Sequence, residues 1–82
     1  MAKIKASYWK VNESRYKLQL RTNRDQEEVE NILQGWECVS FGYVPHTQED
    51  ILVFEKDFKS EMDWTKFLKS DTIIETIEMK EA

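Results

Sequence analysis

Residue types that stabilise small proteins through covalent bonds or metals are scarce in this chain. There is one cysteine, Cys38, and one histidine, His46, among 82 residues. A single cysteine cannot form an internal disulfide, and the two residues together cannot supply the three or four ligands of a zinc site. We therefore expect a protein of a reducing, cytoplasmic compartment with no metal and no cofactor.

Glycine, proline and long apolar runs are also rare. With two glycines and one proline, long unstructured loops are disfavoured, and neither glycine belongs to a run that would bind a nucleotide phosphate. No stretch approaches the roughly 20 apolar residues of a membrane span. The lysine-bearing start of the chain lacks the apolar segment of a secretion signal. These absences predict a soluble protein without a membrane partner.

Hydrophobic and aromatic residues are plentiful enough for folding. They make up 40% and 12% of the chain, respectively, well above the level of disordered sequences. A chain of this length buries only about 60% of its unfolded surface, so it has room for one modest core. We predict a single domain over residues 1–82.

Charge is distributed unevenly along the chain. Residues 1–24 carry seven cations and one carboxylate, whereas the rest carries five lysines and fifteen carboxylates. Such a change of sign can mark an interaction arm, and it also arises when oppositely charged elements lie side by side. Both interpretations remain open from the sequence.

The first half of the chain contains two predicted strands and a helix. Residues 16–22 alternate between apolar and polar, which predicts a strand, and residues 3–11 alternate weakly, as an additional or edge strand does. Asn23 and Gln26 have the spacing of a capping box, with Thr22 as an alternative cap, and Gly35 is a suitable stop. Val29, Ile32, Leu33 and Trp36 have helical spacing and give this predicted helix one apolar stripe.

The second half contains a predicted hairpin, a second helix and a closing strand. Residues 38–44 and 51–54 are predicted strands joined by a polar connection, and 72–80 is a predicted closing strand. Ser60 and Asp63 have capping-box spacing at the start of a second helix. The inner face of that helix is predicted to contain Trp64, Phe67 and Leu68.

Residues 16–80 therefore have the order β-α-β-β-α-β. This order is typical of ferredoxin-like α+β folds, in which two helices pack on one face of an antiparallel sheet. Residues 1–12 do not fit the default strand order. They form either an arm that packs on another chain or an extra N-terminal strand in a different order. Because such folds host many functions, the fold alone assigns none.

Catalytic arrangements are poorly supported. Cys38 and His46 lie at a strand start and beyond its far end, roughly 20 Å apart at about 3.3 Å per residue, too far for a nucleophile and its base. Glu49 and Asp50 beside His46 are the nearest approach to a site for a hard cation, but no calcium-binding loop spacing is present. We predict no catalytic residue and a protein that is not an enzyme.

Two kinds of partner remain. The outward positions of strand 16–22 are Lys17, Gln19 and Arg21, not the aromatic residues on which RNA-binding sheets stack bases. The basic N-terminal strands are nevertheless the alternative hypothesis, a nucleic-acid-binding module. Carboxylates on the predicted helices suggest a further surface that would bind a basic protein, even by imitating nucleic acid in that protein's binding site.

Our preferred hypothesis is a non-enzymatic protein-protein interaction or regulatory module. It would be homodimeric through the open sheet face or through main-chain pairing of strand 3–11, and a virus-encoded modulator of a host protein is one form that it could take. The predicted partner-binding residues are Tyr8, Trp9, Lys10, Lys17, Arg21 and Tyr43.

Overall fold

A computed structural model describes residues 3–82, and the first two residues of the predicted N-terminal segment lie outside the described residues. Within the described residues, five strands and three helices follow one another. They are β1 (Ile4–Lys10), β2 (Arg15–Thr22), α1 (Gln26–Ile32), β3 (Glu37–Val44), β4 (Glu49–Asp57), α2 (Glu61–Leu68), α3 (Asp71–Thr76) and β5 (Ile77–Glu81). The α+β class is as predicted from the sequence.

The strands form one mixed sheet in the order β3-β4-β2-β1-β5. All neighbouring pairs are antiparallel except β1 and β5, which are parallel. In the predicted ferredoxin-like order the first and last strands of residues 16–80 would be neighbours. Here β1 lies between them, so the sheet has five strands and is not purely antiparallel.

Strand β1 is held in the sheet from both sides. A tight turn joins it to β2, and the Asn12 side chain accepts hydrogen bonds from the backbone N–H groups of Ser14 and Arg15 at 3.0 and 2.9 Å. This Asx-type turn sets the register in which Tyr8 lies opposite Leu18. Of the two alternatives for this segment, the structure shows the extra strand in a different sheet order. The other alternative, main-chain pairing of residues 3–11 with another chain at a sheet edge, is wrong, because both sides of β1 are occupied within the chain.

One face of the sheet packs on the helices. Alternate residues of the central strands face this side, and the core is completed by Val29, Trp64 and Ile73 of the helices and by Leu33, which directly follows α1. An aromatic cluster lies within it, with the rings of Tyr16 and Trp64 stacked at 4.2 Å between centroids. Within residues 3–82, no helix packs on the opposite face of the sheet, which we call the open face. No helix of the described part of the chain is long and apolar enough to cross a membrane.

The helix boundaries differ partly from the prediction. Ser60 caps α2 as predicted, accepting a hydrogen bond from the Asp63 backbone N–H at 3.2 Å. The predicted capping box at Asn23 is wrong, because α1 begins after Asp25, and Asp25 makes no side-chain capping bond. The Thr22 hydroxyl instead accepts the backbone N–H of Arg24 at 3.0 Å.

Residues 72–80 are not a single strand. The chain forms α3 first and becomes extended only from Ile77. Ile73 and Ile77 are both buried, and a spacing of four residues satisfies a strand with period two as well as a helix. The alternation that predicted a strand was therefore ambiguous at this point.

Candidate interaction surfaces

Strand β3 forms one edge of the sheet and carries exposed apolar side chains. Phe41 is 71% exposed, Tyr43 57% and Val39 39%. Phe41 lies opposite Leu52 and Tyr43 opposite Asp50, so the two aromatic side chains are on the same side of the sheet as the helices. They lie at the edge of the sheet, where the helices leave them exposed. We call this strand, with Val39, Phe41 and Tyr43, the β3 edge. It combines apolar surface with main-chain groups that no other strand of the described residues pairs with.

A bulge interrupts the β3 edge near its start. Cys38 lies opposite Phe54, and Ser40 lies opposite Val53, so Val39 is an extra residue on β3. From Ser40 to Val44 the register is regular. The regular part of the edge therefore spans five residues, and none of them is charged.

The other edge of the sheet, β5, is different. It has five residues, and Glu78, Lys80 and Glu81 are exposed charges on it. Short strands and charged side chains are the usual means by which proteins keep a sheet edge from pairing with another chain. Strand β3 has eight residues and one charge, Glu37, at its start. Of the two edges, only β3 lacks these protective features over most of its length.

The open face of the sheet is dominated by an ion-pair network around Arg15. Its guanidinium group donates to Glu55 at 2.6 Å, to Asp57 at 3.1 Å and to Glu37 at 3.2 Å. Lys17 approaches the second oxygen of Glu55 at 3.4 Å. The network ties β2, β4 and β3 together across the sheet.

These contacts shift the ionisation of the groups involved. The hydrogen bond from Arg15, together with the nearby Lys17, holds the pKa of Glu55 below its ordinary value of 4.5, against the opposing effect of desolvation. The same hydrogen bond raises the pKa of Arg15 further above its ordinary value. Both groups are therefore charged at neutral pH, and this end of the open face offers little free charge to a partner.

A groove of about 740 Å³ lies at the other end of the open face. Ser7 and Gln19, which lie opposite each other on β1 and β2, are among its polar lining residues. Five cations and two carboxylates, Glu49 and Glu78, surround it. The cations of this basic groove are Lys3, Lys5, Arg21, Arg24 and Lys80. Arg21 forms an ion pair with Glu49 at 3.2 Å, and Arg24 forms one with Glu28 at 3.5 Å. None of the groove's three lysines takes part in an ion pair among the described residues.

The six predicted partner-binding residues do not form one surface. Tyr8 and Lys10 share the helix-covered side of β1, where the Tyr8 ring packs edge-on against Trp64 at 5.1 Å between centroids. The Lys10 amine lies 5.8 Å from the centroid of the Tyr16 ring. Neither side chain therefore belongs to the open face.

Three of the six do lie on the open face, but two are engaged with carboxylates. Lys17 forms an ion pair with Glu55, and Arg21 donates a hydrogen bond to Glu49 at 3.2 Å. The Lys17 amine also lies 5.8 Å from the centroid of the Trp9 ring. Trp9 is partly buried beside Lys17. The sixth residue, Tyr43, lies on the β3 edge, separated from β1 by two strands.

Sequence reasoning missed Phe41 as a site residue, although it is the most exposed large apolar side chain among the described residues. The sequence predicted a strand over residues 38–44, which contains Phe41. The missing information was that the helices leave this residue uncovered at the edge of the sheet. The Arg15 network was also missed, because its partners lie 22 to 42 residues away in sequence.

The described part of the chain contains no cluster of side chains that could form a metal site. Within residues 3–82, no three or more His, Cys, Asp or Glu side chains are grouped so as to hold a metal ion. The Cys38 thiol is partly buried and lies 3.7 Å from the Ser40 carbonyl oxygen. The β3 edge and the basic groove are therefore the two surfaces to consider.

Comparison of the chain with protein-family models, with curated proteins and with solved structures finds no significant match in any of the three. Function must therefore be inferred from the residues and their geometry.

Proposed function

We propose that the protein is a non-enzymatic protein-interaction module of a regulatory or adaptor kind, and that its interface is the β3 edge. The observation that carries the proposal is the exposure of Phe41 and Tyr43 on an unprotected sheet edge. An added strand would pair with the main chain of β3, and the aromatic side chains would supply anchors. Burying each aromatic ring would contribute about 1.5–3 kcal/mol before the costs of association.

The extra N-terminal strand has a place in this proposal. We infer that residues 16–80 follow a modified ferredoxin-like plan, because the order β3-β4-β2-β5 remains when β1 is set aside. Insertion of β1 widens the sheet on the β5 side and leaves β3 as an edge. On this interpretation the interface lies at the end of the sheet opposite to the insertion.

Affinity capture from the native cells tests the proposal. The baits are the unmodified chain, Phe41→Lys, Tyr43→Lys and a matched control, Met62→Lys, whose native side chain is 68% exposed on α2. We expect the first two variants to lose the partners that the unmodified chain and the control retain, with or without nuclease. Partners retained equally by all four baits would contradict an interface at β3.

A second candidate function is supported by the basic groove. Lysines that form no ion pair with the described residues surround a polar groove, an arrangement that suits a phosphate backbone. The net charge of −4 opposes binding of a polyanion, so we rank this function second.

Binding of labelled single-stranded RNA and DNA at low salt tests this alternative. If the groove binds nucleic acid, the double variant Lys5→Glu, Lys80→Glu should abolish binding, whereas Lys59→Glu, outside the groove, should not. Absence of binding by the unmodified chain at low salt would eliminate the alternative.

A further inference from the structure

We infer that the occupant of the β3 edge is the same strand of a second copy, paired antiparallel about a two-fold axis at Gly42; this inference rests on the proposed function. The regular stretch of β3 runs from Ser40 to Val44, and Gly42 is its midpoint. Antiparallel pairing that uses the whole stretch is therefore centred on Gly42. Each Ser40 then lies opposite the Val44 of the other copy.

This register satisfies the requirements of two-fold symmetry. Side chains directly opposite each other in an antiparallel pair lie on the same face of the sheet. Phe41 and Tyr43 share the helix-covered side, and the pairing places each Phe41 opposite the Tyr43 of the second copy. Two aromatic rings that are exposed in each chain, four in the dimer, thus become neighbours on one side of a continuous ten-stranded sheet.

The paired stretch itself carries no charge that would oppose a second copy. The stretch Ser40–Val44 carries no charge, so self-pairing brings no like charges into opposition. The nearest charge on the strand, Glu37, lies outside the paired stretch. The chain's net charge of −4 would oppose association only over longer distances, where salt screens it.

The size of the contact predicts how strong the dimer is. Two five-residue strands and four aromatic rings form an interface below the roughly 1,600 Å² of a standard stable complex. We therefore expect a reversible dimer that dissociates on dilution. Sedimentation of the unmodified chain should show a concentration-dependent change from monomer to dimer, and Phe41→Lys should remain monomeric at concentrations where Met62→Lys still associates.

Cysteine cross-linking tests the register. The background is Cys38→Ala, which removes the only native thiol. Gly42→Cys places a thiol at the two-fold axis, where the Cα atoms of the two copies would be about 4.5–5.5 Å apart. The chain has room for this side chain, because a Cβ built at Gly42 has no atom within 4 Å. Ser40→Cys is the matched control, since its two copies would lie roughly 13 Å apart along the strands at about 3.3 Å per residue.

We expect mild oxidation to give a covalent dimer with Gly42→Cys and at least a tenfold smaller yield with Ser40→Cys. Equal yields, or preferential cross-linking of Ser40→Cys, would overturn the register. A chain that sediments as a monomer at every concentration would overturn self-pairing altogether. In that case the proposed function would still be decided separately, by whether Phe41→Lys loses a different protein partner in the capture experiment.

Discussion

Arg15 shows how individual side chains organise the open face of the sheet. It donates hydrogen bonds to three carboxylates on two other strands, and the one to Glu55 is the shortest, at 2.6 Å. The side chains of Arg15 and Glu55 retain only 25% and 16% of their exposure. A partly buried carboxylate that loses its charge would leave the guanidinium group without its main partner.

The lowered pKa of Glu55 predicts a specific dependence of stability on pH. Because the folded-state pKa lies below the unfolded value of about 4.5, the ion pair stabilises the fold above that pH, and this contribution is lost as pH falls through the lowered folded-state pKa. Glu55→Gln should therefore be less stable at neutral pH and should lose less stability on acidification. Urea unfolding from pH 7 to pH 3 measures both effects. The control is Glu13→Gln, in the exposed loop after β1; if Glu55→Gln and the unmodified chain lost stability in parallel, the role assigned to the pair would be wrong.

Gly35 occupies a backbone conformation that other residues adopt at a cost. Its φ of +86° follows the end of α1, whereas Gly42 does not have a positive φ. Gly35→Ala should therefore lower the free energy of unfolding by about 1 kcal/mol. Gly42→Ala is the matched control and should be nearly neutral, because no atom lies within 4 Å of its added Cβ. Equal losses in chemical unfolding would contradict this difference.

At the scale of elements, local patterns predicted the structure best where one period was unambiguous. The alternation of Tyr16, Leu18 and Leu20 predicted β2, and the pair Ser60 and Asp63 predicted the start of α2. The position of β1 depends on which neighbour accepts it, and no local pattern contains that information. Likewise, the exposure of Phe41 depends on how far the helices extend over the sheet, a tertiary property.

The cap of α2 allows a matched test of one correctly predicted element. Ser60 accepts the Asp63 N–H, whereas Ser70 precedes α3 without any side-chain capping bond. Ser60→Ala should therefore cost about 1 kcal/mol of stability. Ser70→Ala should cost clearly less. If the two variants unfolded at the same urea concentration, the capping bond would not have the importance that its geometry indicates.

For the whole molecule, salt separates the two candidate functions. The chain has a net charge of −4, so self-association is opposed by weak repulsion that added salt screens. Association through the β3 edge should stay constant or strengthen with salt, whereas binding of a phosphate backbone in the basic groove should weaken steeply. Sedimentation and oligonucleotide binding across a salt series measure the two trends. Self-association that weakens steeply with added salt would contradict an interface formed by the uncharged β3 edge.

Hydrogen exchange at the β3 edge tests the central claim most directly. The outward-facing backbone N–H groups of an edge strand have no partner in the sheet of one chain and gain partners when another strand pairs with them. Exchange of the Glu37–Val44 segment should therefore slow as the concentration of the unmodified chain rises, and it should stay fast in Phe41→Lys. Exchange in Ile77–Glu81, the other edge, should not change. Exchange of the β3 segment that is independent of concentration, or protection that arises at β5 instead, would contradict an interface formed by pairing of β3 with a second copy.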